Sequence, residues 1–285
     1  LGIIVFLGVM MSSITVVNSG ENRVTFRHFP DSGLVRQTIV VSIPGGPARI
    51  PIDKQGLSGL LSSILEEGPK GMTKTDYLDR LFFLNSTISF GVSERQFQMA
   101  LEVLPEHLDE VLSILKAILE APKFEKNVFD ENKQKLLENR RLMNNKMSSV
   151  TFYAASRIGF NYHPSILDGT GSVQTLEGVT LSDVETYYPQ IMDLNRAVIW
   201  TAGPIDRNIL EKTFNTYFDL PEFPDPVRFD LPKWALSENR LNVVVIDKPN
   251  ATDNQVLFMY PMESLINQSE EFHGRVAHML LGGGL

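Results

Sequence analysis

Apolar and polar residues alternate from Arg23 to His28, and the stretch Val35 to Ile43 is rich in β-branched residues. Pro30-Asp31-Ser32-Gly33 lies between them with turn chemistry, so the two segments predict a β-hairpin that ends at Pro44-Gly45-Gly46-Pro47. The next pattern has a helical period. Leu57, Leu60, Leu61, Ile64 and Leu65 recur at the spacing of one buried helix face, predicting a helix from about Gln55 to Glu67 that Gly68-Pro69-Lys70-Gly71 stops. A second helix is expected over Thr75 to Leu84, with Tyr77, Leu78, Leu81 and Phe82 on one face. Thr87 to Val92 and Gln96 to Val103 read as a second hairpin around Ser93-Glu94-Arg95.

Pro105 opens a strongly amphipathic helix in which Leu108, Val111, Leu112, Leu115 and Leu119 repeat, and Pro122 ends it. A long polar helix follows over Glu125 to Asn145, and another over Val150 to Phe160. A short helix begins at Thr180-Leu181-Ser182-Asp183, capped by Thr180 or Ser182, and Ala197 to Ala202 is a short apolar strand ahead of a helix over Ile205 to Phe218. Leu220 to Trp234 holds four prolines and reads as a linker, after which Asn242 to Asp247 and Gln255 to Pro261 are expected strands of a second unit. A helix begins at about Glu270, and the sequence reaches the glycine run Gly282-Gly283-Gly284. The fold class is therefore α+β, an antiparallel-rich sheet flanked by helices. Residues 20–219 form a first domain, residues 220–234 the linker, and residues 235–285 the beginning of a second, related domain.

Composition narrows the chemistry. The 285 residues carry a formal net charge of −8, the wrong sign for a nucleic-acid groove, and no cysteine, which excludes disulfides, thiolate metal sites and a cysteine nucleophile. Leu1 to Val17 is almost wholly apolar and is followed by Asn18-Ser19-Gly20. Residues 1–19 read as a secretory signal peptide and the protein as exported, periplasmic or extracellular. A membrane anchor needs about 20 apolar residues, so no stable span is expected in the mature chain. No pair of the five histidines has zinc-peptidase spacing; His273 and His278, five apart, fall on different helix faces. Ser62 and Ser63 lack the G-x-S-x-G turn of a serine nucleophile, and the glycine run lacks the Lys-Ser/Thr of a phosphate loop. Asn85, Asn250 and Asn267 each head an N-x-S/T triplet, which matters only in a glycosylating host.

The helix from Gln55 carries the informative pattern. Opposite its apolar stripe stand Gly59, Ser62 and Ser63, at the spacing by which a helix presents metal ligands. The frame from Gly56 to Gly68, G-L-S-G-L-L-S-S-I-L-E-E-G, resembles the G-L-A-H-x-L-E-H-M-L-x-x-G of the pitrilysin/insulinase-type zinc peptidases, the inverzincins. That resemblance places Gly59 and Ser63 where the family has zinc-binding histidines and Ser62 where it has the general-base glutamate. The family's third ligand, a glutamate on a later helix, aligns with Asn139 in Leu136-Leu137-Glu138-Asn139-Arg140, one residue from Glu138. The order of elements from about Asn22 onward, including Leu104-Pro105, Ala121-Pro122-Lys123-Phe124 and Asn161-Tyr162-His163-Pro164, follows the same plan.

The resemblance implies a pair of related units enclosing a chamber, split between two subunits of which only one binds zinc. It places this chain on the zinc-free side, as a pseudo-peptidase with neither a catalytic residue nor a cofactor of its own. Zinc is expected in a homologous partner subunit, and a peptide substrate in the chamber between them. Thr87, Ile88, Ser89 and Phe90 match the family's substrate-pairing strand edge, and Gly282, Gly283 and Gly284 its glycine-rich segment. In the family an arginine and a tyrosine that help bind substrate follow those glycines. A scaffold subunit that never touches peptide, in the manner of respiratory-complex core proteins, is the competing expectation. A hydrolase working through other residues is a third.

Overall fold

The computed structural model describes residues 25–44, 46–93, 96–159, 169–194, 197–218, 243–247 and 254–258. The chain divides into two compact units, residues 22–257 and residues 1–21 with 258–285; the second lies outside the described residues except for Phe258. The first unit is built on strands β1 (Thr25–Pro30), β2 (Gln37–Pro44), β3 (Thr87–Val92), β4 (Gln96–Val103) and β5 (Val198–Gly203), ordered β1-β5-β2-β4-β3 in one sheet. Only β1 and β5 run parallel; every other neighbouring pair is antiparallel.

The expected second hairpin is present, with β3 and β4 paired from Thr87↔Glu102 to Val92↔Phe97. The expected first hairpin is not. β5 lies between β1 and β2 and pairs with both, through Phe26↔Ile199 on one side and Val41↔Ile199 on the other. Residues 31–36 therefore arch over the end of β5, a reach of about 10 Å that six residues cover easily. The arch is pinned where it crosses: the Asp31 N–H donates to the Gly203 carbonyl at 3.0 Å, and the Ile205 N–H donates to Oε1 of the fully buried Gln37 at 3.1 Å. Gly203 has φ +147°, and a Cβ there would lie 2.8 Å from the Arg36 carbonyl oxygen, so only glycine permits the crossing. A local turn motif says nothing about a strand that arrives 170 residues later, which is why alternation plus a turn was misread as a hairpin.

Helices α1 (Leu57–Leu65), α2 (Lys74–Phe83), α3 (Leu108–Glu120), α4 (Lys126–Asn145), α5 (Met147–Gly159), α6 (Val173–Gly178), α7 (Leu181–Ile191) and α8 (Arg207–Phe218) flank the sheet. Ile39, Val41 and Ile43 of β2, Phe97, Met99 and Leu101 of β4 and Ile199 of β5 point to one face. They form a single core with the stripes of α1, α3 and α8, where the Phe26 and Phe214 rings meet edge to face at 5.6 Å. In α3 the buried set is Leu108, Val111, Leu112, Leu115 and Ile118, with Leu119 only half-buried. In α2 only Tyr77 and Leu81 turn inward; Leu78 and Phe82, expected beside them, are exposed, because the helix packs along one narrow edge. Of the two caps expected for α7, Thr180 and Ser182, the structure has Thr180, in a reciprocal box with Asp183. Helix α6, capped the same way by Ser172 and Thr175, was not anticipated. Of the expected strands Asn242 to Asp247 and Gln255 to Pro261, the described parts, residues 243–247 and 255–258, form no ladder among the described residues, and Val243, Val245 and Val256 are exposed. No described helix is long and apolar enough to cross a membrane.

Candidate functional site

Helix α1 is held by its apolar side. Leu57, Leu60, Leu61, Ile64 and Leu65 are fully buried, worth about 1.5–3 kcal/mol each by area removed from water. That burial fixes the helix rotation and so decides what the opposite face, Gly59, Ser62 and Ser63, can reach.

Each of those three positions is committed to a neighbour within the chain. The Gly59 N–H, one of the helix-start donors with no partner inside the helix, donates to the Gly169 carbonyl at 2.9 Å. A Cβ at Gly59 would lie 2.5 Å from that same oxygen. The Ser62 hydroxyl, nearly buried, donates to the Phe90 carbonyl of β3 at 2.9 Å. The Ser63 hydroxyl donates back to the Gly59 carbonyl at 3.1 Å. Asn139, like its neighbour Glu138, is exposed on α4.

The segment covering Gly59 is the turn Gly169-Thr170-Gly171 that leads into α6. Gly171 has φ +65°, and a Cβ there would lie 2.2 Å from the Gln55 carbonyl oxygen; one on Gly169 would lie 2.5 Å from a Val92 methyl. Gly56, at φ +103°, faces Leu176 and the Thr170 carbonyl from the other side. Backbone thus lies against backbone at the start of α1, a contact that needs glycine on both partners. The sequence reading passed over Gly169, Thr170 and Gly171. Their signal was the Asp-Gly-Thr-Gly-Ser run, turn chemistry ending in a helix-capping serine.

The carboxyl end of α1 is also tied down. Lys123 Nζ, its charge disfavoured by burial so that its pKa falls below the ordinary lysine value, donates to the Glu67 carbonyl at 2.6 Å. Lys74 pairs with the Glu67 carboxylate at 2.7 Å. A cation on the last carbonyls of a helix complements its dipole.

Zinc requires three or four nitrogen, thiolate or carboxylate ligands converging on one point. The residues at the four aligned positions do not fit it. Gly59 has no side chain and no room for one, both serine hydroxyls are turned to carbonyls of the chain, and Asn139 points to solvent. Among the described residues no group of three or more His, Asp or Glu is placed to hold a metal ion. His28 Nδ1 instead meets the Thr201 hydroxyl at 2.8 Å across β1 and β5.

The strand expected to pair with substrate lies at an edge of the sheet. β3 has β4 on one side and no strand on the other among the described residues. The Ser93 N–H bonds the Gln96 carbonyl at the turn, and antiparallel alternation then turns the backbone groups of Ile88, Phe90 and Val92 outward. Of these, the Phe90 carbonyl already accepts from Ser62. Gly282, Gly283, Gly284, the apolar start and residues 220–234 lie outside the described residues.

Comparison with known proteins bears on the fold. The sequence model of the peptidase M16 inactive domain matches residues 178–285. The chain is 20% identical to the non-peptidase homolog YmxG of Helicobacter pylori, over 98% of its own length and 64% of that protein's. The structure superposes on the peptidase M16 inactive domain from Pseudomonas fluorescens with a TM-score of 0.65 at 15% identity, covering 74% of this chain and 50% of that one. It superposes on the periplasmic protease PqqL from Escherichia coli with a TM-score of 0.65 at 14% identity, covering 77% of this chain and 25% of that one. The chain thus spans about two thirds or less of the length of each of these proteins. The α+β fold, a mixed five-stranded sheet flanked by helices, is the fold of this group.

Proposed function

We propose that this M16-like chain, a pitrilysin/insulinase-type relative of the inactive kind, serves as a non-catalytic subunit. It assembles with a zinc-bearing homologue and helps hold an unfolded peptide in the chamber the two enclose. The observation that carries the reading is the commitment of Gly59, Ser62 and Ser63 to backbone partners. The helix that would carry the ligands keeps its full buried stripe, and the ligand face is converted into internal support. In this division of labour the partner's zinc supplies the Lewis acid and the activated water, and this chain supplies wall and strand edge. The exterior setting follows from the apolar stretch Leu1 to Val17, and a relative of the same fold is described as a periplasmic protease.

The test mixes the full chain with a homologue bearing H-x-x-E-H and measures association by light scattering and chelator-sensitive cleavage of an unfolded peptide. Association with enhanced cleavage is expected. A homologue that cleaves fully alone and never associates would sink the proposal. A scaffold role has one observation in its favour: the Ser62 hydroxyl occupies the Phe90 carbonyl, an outward acceptor a peptide strand would use. A pair that assembles and leaves labelled peptide unbound would decide for the scaffold.

A further inference from the structure

Helix α2 is short, and the domain holds it firmly by one side. Tyr77 and Leu81 are buried, and the Tyr77 ring lies on Gly68, where a Cβ would come within 2.6 Å of its Cγ. Thr73 caps the first turn, its hydroxyl accepting from the Asp76 N–H at 3.1 Å. At the other end the Leu84, Asn85 and Ser86 N–H groups donate to the Arg80, Phe82 and Leu81 carbonyls at 3.1, 2.9 and 3.0 Å. Both cations of the helix are engaged with the domain as well: Lys74 pairs with Glu67 at 2.7 Å, and Arg80 pairs with Glu110.

The outer side of α2 is apolar and acidic. Phe82 is 79% exposed, Phe83 77% and Leu78 50%, three large apolar side chains on a helix of ten residues. Helical spacing sets Leu78, Phe82, Asp79 and Phe83 side by side, away from Tyr77 and Leu81. The two phenyl rings meet edge to face at 6.1 Å. Asp79 precedes both by one turn, which is the direction in which helical side chains tilt. It is exposed and has no ion pair or hydrogen bond among the described residues. Asp76, also exposed, is bonded within the cap, to the Thr73 hydroxyl at 2.6 Å. Single exposed apolar residues are ordinary, whereas a contiguous apolar patch marks a contact surface.

We propose that Leu78, Asp79, Phe82 and Phe83 form a docking site for a protein segment that carries apolar side chains and an arginine. Charge decides the occupant. A second copy of this face, packed on the first about a two-fold axis, would bring Asp76 and Asp79 toward their own equivalents, and like charges repel. An anionic lipid surface would repel the same carboxylates. A guanidinium suits both features of the face. It takes a carboxylate through paired donors and lies against an aromatic ring, which an ammonium does less well. Because α2 is already anchored from within, little further ordering accompanies binding. The site is separate from the chamber role proposed above, since it uses the outer face of α2 rather than α1 or the β3 edge.

The test is fluorescence anisotropy on the full chain. The probes are a labelled amphipathic peptide of Leu, Ala and Arg, about four helical turns long, and its counterpart with Gln for Arg. The arginine peptide is expected to bind about tenfold tighter, as for one charge-assisted hydrogen bond. Asp79→Asn should remove that preference and leave the residual affinity for both peptides, while Asp79→Glu keeps it. The double variant Phe82→Gln, Phe83→Gln should abolish binding of both. Glu185→Gln, an exposed acid on α7, should change neither, which separates the site from general attraction to an acidic chain. All four substitutions lie on the surface, so melting temperatures should stay within a degree or two of the wild type. A clear fall in the phenylalanine variant would mean that the chain's own residues already cover the rings, and would overturn the site. Equal affinity for the two peptides, or a preference that survives Asp79→Asn, would overturn it too. A dimer in light scattering that the phenylalanine variant loses would give the face to a second copy. Pelleting with phosphatidylcholine and phosphatidylglycerol vesicles, lost in the same variant, would give it to lipid; either result refutes the assignment.

Discussion

Replacing Gly59 with alanine tests the covered ligand face most directly. In an ordinary helix interior the change would stabilise by up to about 1 kcal/mol, because alanine loses less backbone entropy. Here the new Cβ would lie 2.5 Å from the Gly169 carbonyl oxygen and 3.1 Å from its carbon, against backbone rather than a movable side-chain end. Gly169 cannot retreat cheaply, since Val92 confines it on one side and Gly171 is pressed onto the Gln55 carbonyl next along the chain. Overpacking of this kind costs about 1–3 kcal/mol, and loss of the Gly59–Gly169 hydrogen bond adds about 1 kcal/mol. The net expectation is a destabilisation of about 1–3 kcal/mol, a fall in melting temperature of roughly 3–10 °C for a unit of this size. Urea denaturation of the full chain, with Gly178→Ala as control, measures it. A Cβ on Gly178 meets nothing within 4 Å, so that variant should match the wild type or gain slightly. A Gly59→Ala protein as stable as the wild type would mean that the 169–171 turn does not rest on α1, and the account of the closed ligand face would fail with it.

Three further outcomes follow from the same geometry. The triple variant Gly59→His, Ser62→Glu, Ser63→His restores the motif on paper; isothermal titration should find no tight zinc binding, whereas stoichiometric zinc would refute the steric argument. Gln37→Leu leaves the Ile205 N–H without its acceptor in a fully buried place; it should cost about 1–3 kcal/mol in chemical denaturation, and a neutral result would show the arch over β5 to be held otherwise. At Asp183, burial raises the carboxyl, but hydrogen bonds from Lys54 and from the Thr180 hydroxyl and N–H outweigh it and hold the pKa below the usual 3.8. A depressed carboxyl contributes stability that is present above its unfolded value and is lost as pH falls through the folded one. Asp183→Asn should therefore flatten the loss of melting temperature below about pH 4, and parallel wild-type and variant profiles would contradict the pairing.

Much of the architecture was legible because its causes are local. The stripe Leu57, Leu60, Leu61, Ile64, Leu65 was sufficient to place α1 and its buried side, since a helix repeats every 3.6 residues wherever it packs. The pattern over Gln96 to Val103 likewise placed β4, and its alternation is the one the structure buries at Phe97, Met99, Leu101 and Val103. The failures were of another kind. Leu78 and Phe82 satisfy helical spacing as well as Tyr77 and Leu81 do, yet only the second pair meets the core, because periodicity defines a stripe and not its width.

At the site, residue identity alone shows that Gly59, Ser62, Ser63 and Asn139 offer no imidazole, thiolate or carboxylate, whatever the fold does. The sequence also carried the sheet-and-helix class, the capped start of α7 and the glycines at Gly169 and Gly171, unread. Only the tertiary structure decided that β5 enters between β1 and β2, that Gly169 closes over Gly59, and that Arg140 and Arg157 share one tyrosine. The first two join segments far apart in the chain and the third joins neighbouring helices, and the energy that selects such contacts comes from burial and hydrogen bonding between partners that no local pattern of residues can specify.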